Sequence, residues 1–115
     1  MDRPTLEELA NTANSHRMSD MWLIVIQEET KRDFQIARKL FDVIKDLNDS
    51  MEKRQGIIND LKFDKSLRAV ESAAFFNAVQ EKELALKIKL EIDCKEAQLR
   101  TFEKTAFLEK IKKLS

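Results

Sequence analysis

Few residues in this chain have the type and spacing needed for chemistry. His16 is the only histidine, and Arg17 stands beside it. A Ser-His-Asp or Cys-His site needs His16 to meet Cys94 or a serine, and no nucleophile motif surrounds any of them. The Glu-x-x-His spacing that builds di-iron sites in helical bundles is missing, because Ala13 sits three residues before His16. Zinc-type sites need several Cys, His or carboxylates at ligand spacing, and the sequence offers no such set. Gly56 is the only glycine, so no Gly-rich loop exists to cradle a phosphate. Cys94 falls on an apolar stripe and reads as a small buried hydrophobe rather than a redox centre. The expectation is a protein that is not an enzyme, with no catalytic, cofactor-binding or metal-binding residues.

Composition points to helices as the scaffold. The chain has 115 residues, enough for one domain, with 37 % charged and 43 % hydrophobic. It contains one glycine and one proline, Pro4, which leaves almost no sites for hairpin turns. The rest is rich in Ala, Leu, Glu, Lys, Arg and Ile, as in long helices with salt-bridged faces. Basic and acidic residues balance at 21 each, which argues against a nucleic-acid binder. Residues 1–64 carry 10 basic and 13 acidic side chains, and residues 65–115 carry 11 and 8. Opposite signs favour laying the halves together, weakly and subject to screening by salt.

The longest apolar run, Met21 to Ile26, is far short of the roughly 20 residues a membrane span needs. Met1-Asp2-Arg3-Pro4 leads into polar sequence, so no secretory leader is expected. A single cysteine permits no internal disulfide. The expected setting is therefore cytoplasmic and reducing.

The most regular periodicity runs from Phe34 to Leu61. Ala37, Ile44, Met51 and Ile58 share one heptad position, and Leu40, Leu47 and Leu61 share the other. Arg54 alone breaks the second series. This spacing sets all seven apolar side chains on one helical stripe. Phe34, Ile36, Phe41 and Val43 widen it, which calls for more than one neighbour. Thr5 and Glu8 resemble a capping box that opens a short N-terminal helix. Ser19-Asp20 offers the cap of the second helix, predicted from Asp20 to about Gln55 if Gly56 acts as a cap or hinge, or through Gly56 to about residue 62 because Ile58 and Leu61 keep the heptad register. Asp64 and Ser66 cap a third, running to about residue 113, with chain reversal between Leu61 and Ser66.

Two stretches leave alternatives open. Met21–Ile26 is apolar on every side, and in an isolated helix several of its side chains would meet water at about 1–2 kcal/mol each. It is read as a contact site anchored on Trp22, with ordinary core packing as the competing reading. Leu84, Leu86, Ile88, Leu90, Ile92 and Cys94 alternate with Ala85, Lys87, Lys89, Glu91 and Asp93, the period of a half-buried strand. Helix-forming residues and missing turn signals favour a helix instead. As a helix, the segment puts Leu84, Ile88 and Ile92 on one side and Leu86, Leu90, Cys94 and Ala97 on another.

The fold expected is all-α: an elongated antiparallel helical hairpin, or coiled-coil-like bundle, over 19–115, preceded by a short helix or arm over 1–18. The expected role is a scaffold or adaptor that binds itself or other helical chains as an oligomer, without a membrane span and without nucleic acid. The candidate partner-binding residues are Trp22, Leu23, Ile26, Phe41, Phe75, Phe76, Leu86 and Leu90. The alternative is a small α+β binding or regulatory domain with Trp22–Ile26 and Leu84–Ile92 as strands.

Overall fold

The computed structural model describes residues 3–14 and 20–114. His16, Arg17 and the Ser19 half of the second cap lie outside the described residues. Three α-helices follow one another: α1 (Leu6–Asn14), α2 (Asp20–Leu61) and α3 (Leu67–Leu114). No strand occurs among the described residues.

Each boundary that can be inspected has a local cause. The Thr5 Oγ1 accepts the Glu8 backbone N–H at 3.1 Å, which caps α1. Glu7 and Glu8 then place negative charge at the positive end of the helix dipole. At the end of α2 the backbone tightens: Lys62, Phe63 and Asp64 donate to the carbonyls of Asn59, Asp60 and Leu61. The Ser66 N–H donates to Asp64 Oδ1 at 2.9 Å, and Ser66 Oγ accepts the Ala69 N–H at 3.2 Å. These two bonds turn the chain and start α3, as the Asp64/Ser66 spacing predicts.

Gly56 does not end α2, which continues to Leu61. A helix interior tolerates one glycine at a cost of roughly 1 kcal/mol, and no turn chemistry follows it until Asp64. The strand alternative is overturned at both stretches. Trp22–Ile26 lies inside α2 and Leu84–Ile92 inside α3. The alternation in α3 arises because the helix is apolar on two sides, and Leu, Lys, Glu and Ala keep it helical.

The chain forms two compact units. The first comprises α1, α2 as far as Ala37, and α3 from Lys95. Leu9 and Ala10 of α1, Ile26 of α2 and Phe107 of α3 form its buried centre, with Leu6, Trp22, Leu108 and Ile111 packed around them. Three helices meet there, so a residue such as Ile26 is covered from several sides and is 0 % exposed.

The second unit comprises α2 from Arg38, the connection, and α3 as far as Cys94. It is a two-helix hairpin. Leu40, Ile44, Leu47, Met51 and Leu61 are half-buried and Ile58 is buried, so the heptad stripe supplies its seam. Ala69 and Cys94 are the buried residues contributed by α3. Arg54, the exception in the stripe, crosses the seam. Its Nη1 donates to Gln80 Oε1 at 2.9 Å and pairs with Glu83, while Gln80 Nε2 donates to the Met51 carbonyl at 3.0 Å. A polar residue at such a position fixes which turn faces which, at some cost in apolar burial.

Candidate interaction surface

Five ionic residues of the first unit form a network: Arg3, Glu29, Asp33, Arg100 and Lys104. Lys104 Nζ lies 2.7 Å from Asp33 Oδ2 and 3.3 Å from Glu29 Oε2. Arg100 Nε donates to Asp33 Oδ1 at 3.2 Å, and Arg3 pairs with Glu29. Among the described residues Asp33 is the one buried charged residue. Burial works to raise both carboxyls, but hydrogen bonds from Arg3 and Lys104 hold Glu29 below its usual value. Lys104 and Arg100 do the same for Asp33. Each of the four carboxylate oxygens is matched by a cation, and the network ties α2 to α3 within the first unit. Among the described residues no group of three His, Cys, Asp or Glu is placed to hold a metal ion. Among the described residues no helix is long and apolar enough to cross a membrane.

The candidate contact residues fall into two sets. Ile26 is fully buried in the core of the first unit, beside Leu9, Ala10 and Phe107. Trp22 is half-buried at the edge of the same core. It packs on that core together with Leu6, Leu108 and Ile111. Leu23 is half-buried and lines a groove of about 540 Å³ with Leu108 and Ile111. Outward in the same run stand Met21 and Ile24, both exposed.

In the second unit, Phe41, Phe75 and Leu86 are exposed, while Phe76 and Leu90 are half-buried. Phe75 meets Phe76 edge-on, with centroids 5.8 Å apart and planes at 65°. Leu90 belongs to the side of α3 that also holds buried Cys94. A further apolar surface lies elsewhere on α3. Leu84, Ile88 and Ile92 are 46 %, 50 % and 52 % exposed. They recur every four residues, so they form one stripe, about 200° around the helix from Leu90 at its centre. Ala74, Ala78 and Ala85 are exposed on the same side of α3 and add no bulk to it. The i, i+4, i+8 spacing is the sequence signal that marks this stripe. Phe63, in the connection between the helices, is 89 % exposed and no periodicity points to it.

No family model, curated protein or solved structure matches the chain.

Proposed function

We propose that this chain is a non-enzymatic scaffold or adaptor subunit that works by laying a helix face against another helical chain. The observation that carries the reading is the stripe Leu84–Ile88–Ile92, about half exposed at each position, on a helix whose Leu90/Cys94 side is already sheltered. A two-helix hairpin can bury one stripe per helix, and α3 carries two. An apolar helix face left in water is a recurrent docking element for a second helix. Phe41, Phe75 and Leu86 extend the apolar surface of the same unit. The lone cysteine, which permits no internal disulfide, supports a reducing cytoplasmic setting.

The test is comparative. The full chain and a variant with Leu84→Gln, Ile88→Gln and Ile92→Gln are compared for solution mass and for proteins co-purified from cells. The reading expects self-association, or a defined partner, that the triple variant loses while keeping its helical circular dichroism. Identical behaviour of the two proteins contradicts it.

A further inference from the structure

We propose that the occupant of the α3 stripe is a second copy of this chain, docked antiparallel with the two-fold axis at Ile88; this rests on the reading of the stripe as a helix-docking face. Leu84 and Ile92 stand four residues to either side of Ile88. A two-fold axis through Ile88 therefore sets Ile88 on Ile88 and each Leu84 on the Ile92 of the other copy. An interface between identical subunits related by such an axis must be self-complementary in this way.

Charge selects the orientation. Glu81 and Lys95 stand seven residues before and after Ile88, about two turns each way, so both continue the line of the stripe along α3. Antiparallel docking on Ile88 places each Glu81 opposite a Lys95, twice per dimer. Parallel docking in register places Glu81 on Glu81 and Lys95 on Lys95. Opposed charges on either side of the three apolar residues favour one register and penalise the other. Nearer the axis, Lys87 and Glu91 pair within one chain at 3.9 Å and flank the stripe, so two copies meet there as a neutral set of four. On the other flank the axis brings the two Lys89 side chains near one another; both are exposed and long enough to turn toward water. Ala85, beside them, leaves room for the approach.

From Glu81 to Lys95 the stripe is about 21 Å long at 1.5 Å per residue. At a helix width of about 10 Å this is about 200 Å² per copy, small against an interface of about 800 Å² per partner. The dimer is accordingly expected to be concentration-dependent rather than permanent.

Cysteine cross-linking reads the geometry directly. In a Cys94→Ala background, Ile88→Cys is expected to form a disulfide dimer with its own copy under mild oxidation. Leu84→Cys alone is not, since two copies of that position lie about 12 Å apart along the axis, beyond disulfide reach. Leu84→Cys mixed with Ile92→Cys is expected to cross-link. Glu81→Lys is expected to weaken dimerisation roughly ten-fold, and adding Lys95→Glu to restore it. Circular dichroism of each variant confirms that the helices are retained. Self-cross-linking of Leu84→Cys as readily as Ile88→Cys overturns the antiparallel arrangement. A protein that stays monomeric without cross-links, yet captures another chain through Leu84, Ile88 and Ile92, overturns the second copy and leaves the docking reading standing. A monomer that captures nothing through them removes both.

Discussion

Lys104 reaches Asp33 at 2.7 Å across 71 positions of sequence, and the pair holds α2 against α3 in the first unit. Asp33 is buried, so its charge depends on that contact and on Arg100. Removing the cation leaves a carboxylate in poor contact with water. Lys104→Met is expected to cost about 2–3 kcal/mol of stability. Adding Asp33→Asn is expected to recover part of the loss, measured by urea unfolding as a double-mutant cycle. Strict additivity of the two changes contradicts the coupling.

The same network sets an acid limit. Glu29 and Asp33 both titrate below their usual values in the fold. A carboxyl with a depressed folded-state value adds stability above its unfolded value, and loses it as pH falls toward the folded one. Unfolding midpoints are therefore expected to hold steady near neutrality and to fall below about pH 4. The double variant Glu29→Gln, Asp33→Asn is expected to show a shallower acid slope. An unchanged slope shows that other carboxyls set it.

Gly56 is a conformational weakness with no visible purpose. It sits inside α2, and a Cβ built on it meets nothing within 4 Å. Gly56→Ala is expected to raise stability by about 0.5–1 kcal/mol, read from thermal or urea unfolding. A loss of stability shows that the helix needs flexibility at this position.

Ile26 and Ile88 make a matched contrast. Both are isoleucines in long helices, one fully buried and one half exposed. Ile26→Ala is expected to cost about 2–4 kcal/mol, as for a filled core position. Ile88→Gln is expected to stay within about 0.5 kcal/mol in a dilute monomer. Trp22→Ala is expected to behave like Ile26→Ala in kind, with a smaller loss, because its ring packs on the same core. If Trp22→Ala leaves unfolding unchanged, the ring is a contact residue after all.

Much of the fold was legible because its signals are local. The heptad spacing from Ala37 to Leu61 marks residues that are all sheltered, and its one exception, Arg54, is the residue that bonds across the seam. Asp64 and Ser66 act within a few residues of themselves, so the turn could be placed. Helix propensity settled the alternating segment of α3. What could not be read depends on contacts far apart in sequence. Which bulky residues of Met21–Ile26 face inward is decided by Leu9 and Phe107 together. Asp33 looks like any surface acid until Arg100 and Lys104 arrive from the far end of α3. The stripe at Leu84, Ile88 and Ile92 was visible as spacing, but only the placement of α2 tells which of the two apolar sides of α3 is left open.

Solution mass by sedimentation equilibrium, run on the full chain and on its Leu84→Gln, Ile88→Gln, Ile92→Gln variant over a wide concentration range, tests that open side most directly. The expected result is a mass that climbs from 13.5 kDa toward twice that value for the full chain, while the variant stays at 13.5 kDa with the same helical content. A full chain that remains at 13.5 kDa throughout, and whose stripe binds no other protein, contradicts the account.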